Sequence, residues 1–213
     1  MLSAPFRLRP TVCFILLALP ALARAQTAPT ALPTNGSVIG GSVTLRQDGS
    51  TLRVNQTSDK AIVNWDTFNI GRDAAVQFLQ PGADSAILNR VLNGPSDIAG
   101  KLTSNGRVYL VNPNGVLFGS SARVDVGSLV VAAGSVSDST FLAGAPQVAT
   151  HGRVDNAGTI NAAEGGSVVL AGAGVGNSGS IGAPRGAITL AAGDAVRINL
   201  SDDGLIQAQV TLA

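Results

Sequence analysis

The side chains that could carry acid–base or metal chemistry are scattered along this chain. Its acidic residues recur singly near predicted turns, and the one adjacent pair, Asp202 and Asp203, precedes Gly204 as in a turn. His151 is the only histidine and Cys13 the only cysteine. Paired-carboxylate catalysis needs two acids at a fixed separation, and a transition-metal site needs several nitrogen or sulfur ligands. The pattern therefore predicts a protein that is not an enzyme, with no metal and no cofactor.

The most distinctive motif is Asn112-Pro113-Asn114-Gly115, which separates the apolar segments 107–111 and 116–118. Pro113 fixes φ near the value of the second position of a type I turn, and Gly115 adopts φ values that other residues avoid. Asn112 precedes proline and is therefore held extended. These residues predict a sharp strand–turn–strand corner. Taken alone, such a corner carries no functional information.

The elements that must position this corner are predicted to be β-strands. The chain has 26 glycines and 10 prolines, and its apolar residues recur at every second position in short segments. Residues 154–162 match residues 175–183 in sequence, and the match continues from 166–171 to 186–191. A unit of about 20 residues is typical of solenoids, in which each repeat stacks on its neighbours.

The repeat predicts an all-β fold, a right-handed parallel β-helix built as a single-stranded solenoid of about nine coils. Its apolar positions should stack in register, and Asn156 and Asn177 should form a side-chain ladder between two coils. The pairs expected to stack along the axis are Val154/Val175, Ile160/Ile181, Val168/Ile188 and Leu170/Leu190.

Irregular segments divide the rest of the chain. Residues 26–34 read as a flexible leader and residues 35–213 as the β-helix domain. Within that domain, residues 36–70 are the predicted N-terminal β cap, in which Trp65 and Phe68 close the bottom of the core. Segments 93–105 and 136–152 are the predicted excursions outside the coils.

The first 25 residues have the features of a secretory signal peptide. Arg7 and Arg9 precede an apolar run over residues 12–22, and Ala23-Arg24-Ala25 is a small-x-small cleavage site. The run is shorter than the roughly 20 residues of a spanning helix, so no membrane span is expected in the mature chain. Removal of this segment changes the formal charge from +1 to −2, because 11 basic and 13 acidic residues remain. A near-neutral mature chain is not typical of a nucleic-acid-binding protein.

Three ordered blocks resemble the two-partner secretion (TPS) domain of filamentous haemagglutinin-like exoproteins, most closely the high-molecular-weight adhesin branch. The blocks are residues 63–71 (Val-Asn-Trp-Asp-Thr-Phe-Asn-Ile-Gly), residues 86–91 (Ala-Ile-Leu-Asn-Arg-Val) and the Asn-Pro-Asn-Gly turn. The resemblance covers about residues 35–135, and the family's other motif, Asn-Pro-Asn-Leu, has no copy in this sequence.

The resemblance implies export by a partner outer-membrane transporter, which recognises the domain through its periplasmic domains, and release to the cell surface or medium for adhesion. A host cell surface or glycans are the further expected partners. The resemblance implies that the transporter recognises the signature turn, Asn112, Pro113, Asn114 and Gly115. The secondary candidates for this recognition are Asn64, Trp65, Asn69 and Ile70. The sequence leaves open whether the turn contacts the transporter or serves only the coil.

Two further alternatives stay open at this point. A short secreted carbohydrate-active β-helix protein is the second functional hypothesis, because several polysaccharide lyases and hydrolases use this fold. The chain stops at Ala213, close to where such domains give way to a long passenger. A fragment, a truncated gene and a stand-alone protein are equally compatible with the sequence.

Overall fold

The computed structural model describes residues 27–200 and 206–211, so the signal peptide predicted for residues 1–25 lies outside the described residues. One helix, α1 (Asp138–Leu142), accompanies 22 strands in this part of the chain. In chain order the strands are β1 (Ser37–Gly40), β2 (Val43–Asp48), β3 (Thr51–Gln56), β4 (Lys60–Trp65), β5 (Ala75–Leu79), β6 (Ala86–Val91), β7 (Ser96–Ile98), β8 (Lys101–Ser104), β9 (Arg107–Val111), β10 (Val116–Phe118), β11 (Arg123–Val126), β12 (Ser128–Ala132), β13 (Gly134–Ser135), β14 (Gln147–Thr150), β15 (Arg153–Asn156), β16 (Thr159–Ala162), β17 (Val168–Gly172), β18 (Gly174–Asn177), β19 (Ser180–Gly182), β20 (Ile188–Ala192), β21 (Ala195–Leu200) and β22 (Ile206–Thr211).

Three parallel sheets wind around one interior. Sheet 1 runs β4-β6-β9-β12-β17-β20, sheet 2 runs β3-β5-β8-β11-β16-β19, and sheet 3 runs β7-β10-β15-β18. A full coil takes one strand from sheet 3, then one from sheet 2, then one from sheet 1, as in β10, β11 and β12. The fold is therefore the predicted parallel β-helix.

The prediction of about nine coils was wrong, because sheets 1 and 2 each show six parallel strands and hence six turns. The early coils are longer than the repeat unit. Thr51, for example, pairs with Ala75 in the next coil, and Ala75 pairs with Lys101. The later chain also leaves the stack to form other strands, so fewer residues remain for coils.

The predicted repeat is confirmed position by position. All four apolar pairs expected from the sequence are register partners between β15 and β18, β16 and β19, or β17 and β20. The amide ladder is also present, since Asn156 Nδ2 donates to Asn177 Oδ1 at 2.8 Å.

An N-terminal β cap closes the first coil, as predicted, but it is narrower than residues 36–70. β1 pairs antiparallel with β4, and β2 pairs antiparallel with β3, whereas β3 and β4 already belong to the first coil. Trp65 and Phe68 are fully buried beside this cap, edge to face with ring centroids 5.7 Å apart. The antiparallel strands occupy backbone edges that would otherwise be open to pairing.

The segment predicted as a flexible leader is instead held against the first coils. Gly71 N–H donates to Ala31 O at 2.9 Å and Asp73 N–H donates to Pro29 O at 2.8 Å. Leu32 packs against the main core. Its Thr/Ala/Pro composition suggested flexibility, but the backbone hydrogen bonds and this apolar contact fix the segment.

The predicted excursion over residues 93–105 was also wrong. β7 and β8 form there, and both are rungs of the third coil. Residues 134–150, in contrast, do leave the stack. They form β13, α1 and β14. The two strands β13 and β14 join β21 and β22 in an antiparallel sheet, sheet 4. This unit covers a second apolar cluster on the outer face of sheet 1, in which Tyr109 and Phe141 meet edge to face at 5.2 Å.

Glycines stack at the corners between sheets 2 and 1. A Cβ on Gly166 would lie 1.9 Å from Gly127 O, and a Cβ on Gly186 would lie 1.6 Å from Gly166 O. Backbone of successive coils therefore meets at this corner with no room for a side chain. The recurring glycines of the sequence mark this close approach.

Candidate functional site

The three sequence blocks lie on neighbouring strands of sheet 1. Residues 63–65 end β4, residues 86–91 are β6, and the signature turn follows β9 directly. β4 pairs with β6 and β6 pairs with β9, all parallel and in register. The three motifs thus lie on three consecutive rungs of one ladder, although the first and the last are more than 40 positions apart in sequence.

Buried hydrogen bonds connect these rungs. Trp65 Nε1 donates to Asn89 Oδ1 at 3.0 Å, and Asn89 Nδ2 donates to Tyr109 O at 3.2 Å. Asn89 is fully buried, where an unpaired amide would be costly, so its two bonds hold three strands in one register. Trp65 is therefore a structural residue in this fold, buried with its indole N–H satisfied.

The signature residues form the predicted strand–turn–strand corner between β9 and β10. Gly115 N–H donates to Asn112 O at 3.1 Å, which closes a four-residue turn. Gly115 has φ of +98°, and a Cβ there would lie 2.9 Å from Arg153 O. Both the conformation and the close approach require glycine at this position.

The Asn112 side chain makes three hydrogen bonds from a fully buried position. Its Oδ1 accepts from Asn114 N–H at 2.9 Å, within the turn. Its Nδ2 donates to Gly94 O at 3.0 Å and to Ser96 Oγ at 2.9 Å, both in the preceding coil. Asn112 therefore fixes the turn and ties it to the neighbouring coil.

Exposure divides the four signature residues into two pairs. Asn112 and Gly115 are buried, whereas Pro113 and Asn114 are exposed. A cleft of about 190 Å³ lies beside the turn, with Asn114, Pro95 and Leu117 on its walls. Of the four signature residues, only Pro113 and Asn114 present side chains that a partner could reach in the folded domain.

A charged pair borders this cleft on the next coil. Arg153 Nε donates to Asp155 Oδ2 at 2.8 Å and to Asp155 Oδ1 at 2.9 Å. This hydrogen bond, together with the carboxylate charge, raises the pKa of Arg153 above its ordinary value. The surface around the turn therefore combines an exposed proline and amide with a neutralised ion pair.

The secondary candidates for recognition, Asn64, Asn69 and Ile70, lie in the coils that precede the signature turn. Asn64 is half-buried and accepts from Arg90 Nη1 through Oδ1 at 3.1 Å. Asn69 Oδ1 accepts from Asp97 N–H at 2.8 Å, and buried Ile70 forms a parallel bridge with Ile98. Asn69 and Ile70 thus reach one side of segment 94–98, and the signature turn reaches the other.

Sequence reasoning missed Asn89 and Ser96 as members of this arrangement. Asn89 directly follows the three apolar residues that begin β6, a pattern that predicts a core strand, where an unsatisfied polar group is disfavoured. That contradiction between residue type and pattern was the available signal. Nothing in the local sequence marked Ser96.

In the part of the chain that the structure describes, the side chains that could carry acid–base or metal chemistry do not form a cluster. No group of three or more His, Cys, Asp or Glu side chains there is placed to hold a metal ion. His151 is exposed, in the segment that follows β14. Among the same residues, no helix is long and apolar enough to cross a membrane.

Comparisons with known proteins found a family, a solved structure and two curated relatives that resemble this chain. The family described as TPS secretion domain matches residues 25–212. The crystal structure of the HMW1 secretion domain from Haemophilus influenzae is similar, with 31% identity and a TM-score of 0.76, over 85% of this chain and 50% of that one. Two heme/hemopexin-binding proteins of Haemophilus influenzae, one from strain ATCC 51907, are each 40% identical over 99 or 100 residues. The match covers 46% of this chain and 11% of each relative.

Proposed function

This chain belongs to the family of TPS secretion domains, and from that premise we propose that it is the secretion module of a filamentous haemagglutinin-like exoprotein. Domains of this family are exported, and the family implies a partner outer-membrane transporter. The proposal adds that the periplasmic domains of this transporter recognise the chain. After release at the cell surface or into the medium, the exoprotein acts in adhesion, with a host cell surface or glycans as its target, and performs no catalysis.

The exposed half of the signature turn is the proposed contact with the transporter. Pro113 and Asn114 project from a turn whose other two residues are buried and fixed. The Pro113 ring and the Asn114 backbone, whose N–H is hydrogen-bonded to Asn112, lose little conformational entropy on binding, because the turn is already ordered. This separation of exposed residues from buried ones is the observation that carries the proposal.

The folded β-helix also supports a role in driving export. Each coil hydrogen-bonds to the coil before it, so a chain that emerges N-terminus first adds coils one at a time. The N-terminal cap lets the first coil form without an open edge. Free energy released outside the cell would then oppose backward sliding of the chain.

An export assay tests this function. The chain is expressed with and without a two-partner transporter, and the protein in the medium is measured. We expect release only with the transporter, and about tenfold less release for Asn114→Ala. The matched control is Ser120→Ala, because Ser120 is also exposed in a turn, the one between β10 and β11. Release without any transporter would refute the secretion role, whereas equal release of both variants would remove only Asn114 from the contact.

A further inference from the structure

Four basic side chains on the outer face of sheet 2 and of the adjoining cap strand β2 have no acidic partner among the residues that the structure describes. Of the eleven Lys and Arg residues between positions 27 and 200, five form ion pairs, with Asp73, Asp138, Asp84, Asp155 and Glu164. Lys60 donates to a backbone carbonyl, and Arg197 faces the Gln147 amide. The remaining four are Arg46, Arg53, Lys101 and Arg123, and we call them the basic face. Arg123 Nη1 also donates to Ala122 O at 2.7 Å and to Ser120 O at 3.2 Å, and the side chain remains exposed.

Register places these four cations in two like-charged pairs. Arg46 is directly opposite Arg53 across β2 and β3, and Lys101 is directly opposite Arg123 across β8 and β11. All four are exposed. Arg53, Lys101 and Arg123 lie between buried neighbours, and Arg46 is the register partner of Arg53, so the four project from the same side of the sheet. Like charges directly opposite each other destabilise a sheet, so the fold itself gains nothing from this arrangement.

The spacing of the two pairs matches an extended ligand. Only β5 lies between β3 and β8, so the pairs are two strand spacings and two residues apart, about 12 Å. Polar side chains lie between them, beside the small Ala75: Gln77 is the register partner of Arg53 on one side and of Thr103 on the other. A linear polymer lying across the strands could contact both cation pairs and this row of amide and hydroxyl groups.

The acidic residues on this face are few. Asp48 is two positions from Arg46 on the same strand face, and Asp125 is the register partner of Thr103. Asp125 accepts a hydrogen bond from Asn161 at 3.2 Å. Four cations against two carboxylates leave the face positive, although the whole chain is close to neutral.

We propose that the basic face binds an acidic polysaccharide. Arg guanidinium groups form paired hydrogen bonds with sulfate or carboxylate oxygens, and the intervening amides and hydroxyls suit sugar hydroxyls. Single-stranded nucleic acid fits less well, because every aromatic side chain in residues 27–197 is buried and none can stack on a base. A lipid surface fits less well too, because Leu79 is the one large apolar side chain exposed on this face.

This inference extends the adhesion role in the proposed function, and it is tested on the purified domain without a transporter. Binding is measured at about 0.15 M salt to immobilised dextran sulfate, carboxymethyl dextran and unmodified dextran. Anionic phospholipid vesicles and single-stranded RNA serve as competing ligands. We expect binding to one or both acidic dextrans and none to dextran, and the comparison distinguishes sulfate from carboxylate as the recognised group.

A matched pair of double variants localises the binding. Arg53→Gln with Lys101→Gln removes one cation from each pair, and about tenfold weaker binding is expected. Arg72→Gln with Arg185→Gln removes the same charge from exposed residues off this face, and should leave binding unchanged. Circular dichroism confirms that both variants remain folded.

Equal loss in the two double variants would overturn the proposal, since it would reveal nonspecific ion exchange. Absence of binding to both acidic dextrans, or tighter binding to vesicles or RNA, would overturn it as well. None of these outcomes bears on export, which the transporter assay measures separately.

Discussion

Replacement of Asn112 by alanine is the sharpest test of how the signature turn works. The change removes three hydrogen bonds, to Asn114 N–H, Gly94 O and Ser96 Oγ, and leaves those groups without this partner in a buried corner. Each net hydrogen bond contributes about 0.5–1.5 kcal/mol, so the free energy of unfolding should fall by about 3 kcal/mol. For a domain of this size, that corresponds to a decrease in melting temperature of about 6–12 °C.

Thermal unfolding of the purified domain, followed by circular dichroism, measures this effect. The matched control is Asn114→Ala, which retains its backbone N–H and replaces an exposed side chain, and should change stability by less than about 0.5 kcal/mol. Asn112→Asp should also destabilise the domain, because it keeps the acceptor for Asn114 but loses both donated bonds. An unchanged melting temperature for Asn112→Ala would refute the structural role. If export were then lost, Asn112 itself would have to contact the transporter.

Three other predictions follow from the corners, the second apolar cluster and the excursion. Gly166→Ala should destabilise the domain by more than about 3 kcal/mol in chemical denaturation, because its Cβ would meet Gly127 O at 1.9 Å, whereas Gly82→Ala, with open space around it, should change little. Burial raises the pKa of Tyr109 to about 12, so absorbance of this single tyrosine should show no ionisation at pH 10. The raised pKa means that the native state holds this proton more tightly, and stability should be lost as pH rises from about 10 to 12, by at most about 3 kcal/mol. Arg90→Ala removes hydrogen bonds that hold α1 on sheet 1, and should increase amide hydrogen exchange in α1 before the coils are affected.

The repeated half of the fold was predictable because stacking favours the same residue types at equivalent positions of successive coils. Val154 and Val175, for example, are similar because they occupy equivalent places one coil apart. The first coils carry no such signal. Segment 93–105 contains Gly94 and Pro95, which suggested a break, yet β7 and β8 tolerate those residues at the corner that precedes them. The number of coils was predicted wrongly for the same reason. The repeat length of about 20 residues, taken from the regular C-terminal part, was applied to the longer coils of the N-terminal part.

The signature turn was predictable as a corner, but the sequence did not show which of its four residues are buried and which are exposed. The sequence shows that Asn112 precedes proline, and this fixes its backbone but not the direction of its amide. That direction depends on Gly94 and Ser96, whose position one coil away is set by the number of residues per turn. Exposure of Pro113 and Asn114 follows from the same stacking. Contacts between coils therefore determine which residues are free for a partner.

The excursion has a consequence for the order in which this molecule is assembled. β14 has two neighbours, β13 close by in sequence and β21, which lies after the sixth coil. In a chain that becomes available N-terminus first, one edge of β14 stays unpaired until two more coils have formed. During that interval Arg90 and Lys60 tether the helix to rungs that already exist. Sheet 4 therefore closes only after the sixth coil has formed, and its closure reports that the coils before it are in place.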